Sequence, residues 1–120
     1  MKRLLLVACL VLAPVSAAQA MPVSEFLEEA EDIPRNPTAL LRSDTRRLMG
    51  ELRAAFTTIR DERQSAVAAG RTPAFCPPEG ERASVSADQL LERLRSIPPS
   101  RRNISVTQAM REWMAERYPC

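Results

Sequence analysis

The chain has 120 residues, 27% of them charged, and its composition excludes several kinds of catalytic site. It contains no histidine, so it has no Ser-His or Cys-His nucleophile pair and no imidazole to bind a metal. With only three glycines, it has no glycine-rich phosphate loop. We therefore expect no enzymatic activity, no cofactor and no metal.

The first 20 residues have the pattern of a secretory signal peptide. The basic pair Lys2-Arg3 precedes ten apolar residues at positions 4–13, and a cleavage motif of small residues follows at Ala18-Gln19-Ala20. Ten residues span only ~15 Å as a helix, too little for a bilayer core of roughly 30 Å. We predict cleavage that leaves Met21 at the mature N-terminus, followed by a single helical domain over residues 21–120.

A lipoprotein signal is the alternative interpretation of the N-terminus. Leu6-Val7-Ala8-Cys9 resembles a lipoprotein box, in which the cysteine is lipidated after cleavage. The apolar run continues beyond Cys9, however, whereas the apolar run of a lipoprotein signal ends at its cysteine. Charges interrupt every later apolar run, so we expect a periplasmic or secreted protein without stable membrane insertion.

Removal of Lys2 and Arg3 leaves a mature chain with balanced charge, 15 arginines and 15 acidic residues. A net charge of zero gives no reason to expect nucleic acid as a partner. Because Lys2 is the only lysine, the mature chain also lacks the residue that forms Schiff bases and clamps P-loop phosphates.

The mature chain begins with a predicted amphipathic helix from about Ser24 to Ile33. Ser24 is a typical N-cap residue, and the apolar residues that follow it share one helix face. The opposite face is acidic, with Glu25, Glu28 and Glu29 among its residues. We favour a solvated face near the arginines of the next helix; a docking surface for a basic partner is the alternative.

A proline-rich break follows, in which Asn36 is predicted to cap a single helical turn. The longest helix then starts at Ser43 or Asp44 and runs to about Ala69, with apolar residues at intervals of three and four. About 25 residues span ~37 Å, so we expect this helix to be central to the fold. Gly70 is a natural C-terminal stop.

Residues 70–84 are rich in proline and glycine and contain Cys76. We interpret them as an ordered connection, because a chain of this length seldom supports two cores; a linker between two domains is the alternative. Cys76 and Cys120 are the only cysteines beyond the predicted signal peptide, and two cysteines in an exported chain most often pair. Closing this loop would stabilise the fold by roughly 4 kcal/mol in the chain-entropy model; two free thiols are the alternative.

The last third of the chain contains two helices with clear start signals. Ser86 and Gln89 form a predicted capping box, and Ser105 and Gln108 form a second one. The short connection at 98–103 predicts an antiparallel hairpin of these two helices. The sequence therefore predicts an all-α fold: a small helical domain with one long central helix and a C-terminal helical hairpin, closed by one disulfide.

Two further groups of residues in this region have two interpretations each. Met110, Trp113 and Met114 could line a soft-metal or ligand pocket, but such a stripe is more often core, and we predict core. Arg101 and Arg102 could grip a carboxylate or a phosphate; a solvated helix connection is the interpretation that we favour.

The cysteine-containing segments also resemble a known family of bacterial proteins. Phe75-Cys76-Pro77-Pro78, a capped helix that ends at Ile97-Pro98, and a helix that closes on Tyr118-Pro119-Cys120 resemble the C-terminal part of the Rap/Tai family. These small, helical, periplasmic immunity proteins bind and block cell-wall amidase toxins delivered by type VI secretion. The resemblance covers about residues 74–120. It implies that Cys76 and Cys120 are the matching cysteines and that the partner is another envelope or imported protein.

A periplasmic chaperone for stress or acid is the second functional hypothesis. Such chaperones are also often small and helical with one disulfide. Because the chain has no histidine, an acid switch would have to act at about pH 4, where carboxylates become protonated.

Overall fold

The computed structural model describes residues 20–78 and 85–120. The predicted signal peptide lies outside the described residues except for Ala20, and Ala18 of the cleavage motif lies outside them. Cleavage in front of Met21 therefore stays a prediction.

The fold is all-α, as the sequence predicts. The described helices, in chain order, are α1 (Val23–Glu31), α2 (Ser43–Ala68), α3 (Ala87–Ser96) and α4 (Val106–Arg117), with 3-10 turns at Pro37–Leu41 and Pro99–Arg101. The long α2 is central and α3 and α4 form a C-terminal pair, which together with the Cys76–Cys120 disulfide confirms the predicted fold class. None of these described helices is long and apolar enough to cross a membrane.

Helix α1 begins one residue before the predicted Ser24, because tertiary hydrogen bonds satisfy its first N–H groups. The Val23 N–H donates to the Ile104 carbonyl at 2.9 Å, and the Ser24 N–H donates to the Arg102 carbonyl at 2.9 Å. With these donors bonded, the predicted serine cap is not formed, and Pro22 occupies the N-cap position without a side-chain cap bond.

The C-terminal end of α1 lies at Glu31, two residues before the predicted Ile33. The Ile33 N–H donates to the Ala30 carbonyl at 3.3 Å, which closes a turn after the helix. Pro34 disfavours the helical conformation of the residue in front of it, so the helix stops ahead of Ile33.

The segment in front of α1 is built into the fold. Met21 is only 4% exposed, and its carbonyl accepts a hydrogen bond from the Val106 N–H at 2.9 Å. Pro22 and Ser105 form an isolated antiparallel bridge. Met21, the predicted first residue of the mature chain, therefore contributes its side chain to the core.

The structure confirms the predicted Asn36 cap in the proline-rich break and the predicted stop at Gly70 after α2. The Asn36 side chain accepts a hydrogen bond from the Thr38 N–H at 3.1 Å, so it caps the short turn. At the far end of α2, Gly70 adopts a left-handed φ of 70°. The Arg71 N–H then donates to the Ala66 carbonyl at 2.8 Å, which is the 6→1 hydrogen bond of a Schellman motif. Because glycine has no Cβ, Gly70 adopts the left-handed conformation without a steric penalty.

The capping box of α3 is complete, whereas the box predicted for α4 is half formed. The Ser86 side chain accepts from the Gln89 N–H, and the Gln89 side chain accepts from the Ser86 N–H, each at 3.1 Å. Ser105 likewise accepts from the Gln108 N–H at 3.0 Å. The Gln108 side chain does not accept a hydrogen bond from the Ser105 N–H, because it accepts one from Arg111 on its own helix instead.

The core lies between the four helices, with the most extensive packing between α2 and α4. Met110 and Met114 are 0% and 1% exposed, so these methionines are core residues, as predicted. Trp113 is only partly buried and packs against the edge of the core. The other buried side chains of this core are Met21, Val23, Phe26, Leu27, Leu48, Ala55, Ile59, Phe75, Leu90, Leu94, Ile97, Val106 and Ala109.

Replacing either N-cap serine by alanine should lower the free energy of unfolding by about 1 kcal/mol, because an N–H donor at the helix start loses its acceptor. Urea unfolding of Ser86→Ala and Ser105→Ala measures this loss. Ser100→Ala is the control, since Ser100 is exposed and lies outside both caps. A cap variant that is no less stable than the control would contradict the cap assignment.

Candidate functional site

The structure joins Cys76 and Cys120, which confirms the predicted disulfide. Their Cα atoms lie 4.9 Å apart, within the usual range for such a bond, and the two residues are separated by 44 positions in the sequence. The bond thereby attaches the connection that follows α2 to the segment that follows α4.

Two hydrogen bonds and one buried ring hold the same connection in place. The Cys76 N–H donates to the Tyr118 carbonyl at 2.8 Å. Arg63 of α2 donates through Nε to the Phe75 carbonyl at 3.3 Å. The Phe75 side chain is only 7% exposed, so the connection has an apolar anchor in the core in addition to its covalent one.

These contacts leave an open groove between α2 and the connection, with a volume of about 710 Å³. We call it the Phe75 groove; its lining residues are Arg53, Phe56, Thr57, Ile59, Arg60, Arg63, Phe75, Pro77 and Met114. Its floor is apolar, since three of these side chains belong to the core and Phe56 packs at the core edge. A volume of this size is typical of ligand-binding clefts.

The rim of the Phe75 groove is positively charged. Arg53 and Arg60 are exposed, and neither forms an ion pair with another described residue. The Arg63 guanidinium lies 5.9 Å from the centroid of the Phe75 ring, within reach of a cation–π interaction. Three of the described lining residues are arginines, and none of the described lining residues is acidic.

The described lining of the Phe75 groove supplies hydrogen-bond donors and apolar surface. The arginine guanidinium is protonated at neutral pH, so it donates hydrogen bonds without transferring protons. The described lining contains no carboxylate, thiol or imidazole that could act as a general base. The described lining therefore offers hydrogen-bond donors with a permanent positive charge around an apolar floor.

Arg47, elsewhere on α2, is bonded within the fold. It pairs with Glu25 of α1 at 2.9 Å and also with Glu29 on the same helix. This contact confirms the predicted proximity of the acidic face of α1 to the arginines of the next helix. Glu25 and Glu29 are thus occupied by an intramolecular partner, which weakens the alternative of a docking surface for a basic protein.

Arg101 and Arg102 are also bonded within the fold. Arg101 pairs with Glu112 of α4 at 3.0 Å. Arg102 donates to the carbonyls of Arg95 and Ile97, each at 2.9 Å. These carbonyls lie at the C-terminal end of α3, where a helix leaves acceptors without partners in the helix itself. Arg102 therefore caps α3, a role that neither sequence interpretation included.

A bidentate ion pair fastens α4 to α2 close to the groove. Arg111 donates to the Glu62 carboxylate through Nε at 2.9 Å and through Nη2 at 2.7 Å. The guanidinium lowers the pKa of Glu62, and the carboxylate raises the pKa of Arg111. Both side chains are partly exposed, so we expect the pair to contribute less than about 1 kcal/mol.

The sequence predicts the pairing of the two cysteines but not the Phe75 groove. The apolar residues of this α2 face are predicted as core, and the three neighbouring arginines are not singled out. One signal is present in the sequence, because Arg53, Arg60 and Arg63 recur at helical spacing beside the apolar stripe. The position of Phe75 against that stripe depends on long-range contacts, which no local pattern contains.

No family model, curated protein or solved structure matches the chain. Within residues 20–78 and 85–120, no three acidic or cysteine side chains are grouped so that they could hold a metal ion. The candidate site is therefore identified from the positions of its own residues and not from a related protein.

Replacing Glu62 by glutamine should lower the free energy of unfolding by about 0.2–1 kcal/mol at neutral pH, because Arg111 loses its charged acceptor. The pKa of Glu62 is lower in the folded protein than in the unfolded chain. Its stabilising contribution is therefore fully present above the unfolded pKa of about 4.3 and is lost as the pH falls through the lower folded value. Urea unfolding across this pH range measures the difference.

Glu51→Gln is the matched control for this comparison. Glu51 is a partly exposed carboxylate of α2 without an ion pair to a described residue. A stability difference between wild type and Glu62→Gln that grows on acidification would contradict the assigned ion pair.

Proposed function

We propose that this protein is an exported periplasmic binding domain that forms a stoichiometric complex with one other protein. We further propose that it is an immunity-type inhibitor of a toxin that targets the cell wall, acting by binding and without turnover. The observation that carries this proposal is the Phe75 groove, whose apolar floor is bordered by three arginines.

The residue types of the groove suit contact with a protein. Arginine and aromatic side chains are enriched among the residues that dominate the binding energy of protein interfaces. Arg53 and Arg60 are exposed at the rim, and Phe56 and Phe75 contribute to the lining. Such a combination offers both an apolar pocket for an anchor residue and charges that fix its orientation.

The resemblance to the Rap/Tai family supports the same surface. In the motif Phe75-Cys76-Pro77-Pro78, Phe75 and Pro77 form one wall of the groove. In the motif Tyr118-Pro119-Cys120, Tyr118 and Cys120 hold that wall through a hydrogen bond and the disulfide. Two residues that carry the resemblance therefore line the groove and two more hold them in place, whereas the α2 side of the groove lies outside the resemblance.

The disulfide supports the proposed location in the periplasm. Disulfides persist in oxidising environments such as the bacterial periplasm and are rare in the cytosol. The Cys76–Cys120 bond is compatible with such a compartment, and the signal-peptide pattern of the first 20 residues predicts export to it.

Affinity purification from envelope extracts with the oxidised protein should capture one protein at neutral pH. Native mass spectrometry should show a one-to-one complex, and an equimolar amount of this protein should abolish the cell-wall hydrolysis of the captured partner. Phe56→Ala should weaken the complex at least tenfold, because it removes apolar surface from the groove. Leu40→Ala is the control, since Leu40 is 67% exposed and lies outside the groove.

The acid-chaperone hypothesis gives a different result in the same experiment. It predicts many captured proteins, and only at a pH of about 3, where carboxylates are protonated. That result would replace the proposed function. A single neutral-pH partner that keeps its full hydrolytic activity in the complex would contradict the inhibitory role.

A further inference from the structure

We propose that the Phe75 groove binds an acidic segment of the partner protein, in which one aromatic or large aliphatic side chain is the anchor. The chemistry named here rests on the proposed function, because it concerns the same surface and the same partner. Two properties carry it: the positive charge of the rim and the apolar floor that opens to solvent.

The charge of the rim favours carboxylates. Arg53 and Arg60 have no ion-pair partner among the described residues, whereas Arg47 on the same helix already binds two glutamates of α1. A guanidinium binds a carboxylate with two parallel hydrogen bonds, and such bonds are stronger where apolar surface excludes water. The exposed cations next to the apolar floor therefore form a site that is complementary to acidic residues.

The floor favours one apolar side chain between those acids. Ile59, Phe75 and Met114 are 3%, 7% and 1% exposed, and Phe56 beside them is partly buried. A ring in the groove would contact chiefly the partly exposed Phe56 ring, and aromatic rings attract one another. A ligand with charge alone would leave the apolar lining in contact with water. An apolar ligand alone would bind neither Arg53 nor Arg60, which have no ion-pair partner among the described residues.

The spacing of the arginines requires a segment of chain rather than a single residue. Arg53 and Arg60 lie seven positions apart, which is about 10.5 Å along the axis of α2. An extended chain advances about 3.3 Å per residue, so this distance corresponds to roughly three residues of an extended ligand. Acidic residues on both sides of a central anchor therefore match the two ends of the rim.

An NMR titration with synthetic peptides tests the proposal on the oxidised full chain. The probe is a peptide with the central sequence Glu-Asp-Phe-Glu-Asp, flanked by glycine and serine. One comparison peptide has alanine in place of the phenylalanine, and the other has lysine in place of the four acids. The probe should shift the methyl resonances of Ile59 and Met114 and should bind at least tenfold more tightly than either comparison peptide.

Charge reversal locates the interaction on the protein. Arg60→Glu should weaken binding of the probe at least tenfold, because a rim cation becomes a repelling carboxylate. Arg46→Glu is the matched control: Arg46 is an exposed arginine of α2, outside the groove and without an ion pair to a described residue. The control should change the affinity less than twofold.

Several results would overturn the proposal. These are equal affinity for the acidic and the lysine peptide, tighter binding of a single-stranded oligothymidine, or shifts that exclude Ile59 and Met114. If a toxin is captured and inhibited but Arg60→Glu binds it as tightly as wild type, the groove proposal fails and the proposed function stands. If the probe binds the groove but no partner is captured, the ligand chemistry stands and the proposed function fails.

Discussion

The disulfide between Cys76 and Cys120 is the constraint on which the candidate site depends. It fixes the connection after α2 to the end of α4, so that Phe75 and Pro77 face α2 across the groove. In the chain-entropy model, a bond that closes a loop of this length stabilises the fold by about 4 kcal/mol, a large part of the roughly 5–15 kcal/mol typical of a domain. The same bond thus stabilises the fold and shapes its surface.

The other long-range contacts converge on α4. Met110 and Met114 place its inner face in the core against α2, and Arg111 binds Glu62 of α2 on the outside. At the start of α4, the Val106 N–H binds the Met21 carbonyl, which attaches the predicted mature N-terminus to the same element. The start of the predicted mature chain is therefore attached to α4, and α4 itself packs against α2 beside the groove.

Much of this fold could be predicted from the sequence because its signals are local. The Ser86 capping box, the Gly70 stop and the three-and-four spacing of apolar residues in α2 each depend on neighbouring residues, and the structure confirms them. Sequence reasoning failed where a distant group changes the local preference. Ser24 is not the cap of α1, because carbonyls from the 102–104 connection bind the first N–H groups of that helix.

The candidate site, in contrast to the helices, could not be predicted from local sequence signals. Its cysteines could be paired from their number alone, but Arg53, Arg60 and Phe75 come together through long-range contacts of the connection after α2, among them the disulfide. The arginine pattern in the sequence indicates a basic helix face and nothing about what lies opposite it. Predicting a groove requires the position of both walls, and one wall is a proline-rich segment without a periodic pattern.

The central claim is that the disulfide holds the groove in its binding form, and a comparison of oxidised and reduced protein tests it most directly. Affinity for the phenylalanine-centred acidic peptide is measured in both states, at a temperature where circular dichroism shows that the reduced protein keeps its helices. We predict that reduction weakens binding at least tenfold, because Phe75 and Pro77 lose their covalent support while α2 and its arginines remain. Equal affinity in the two states would contradict the claim.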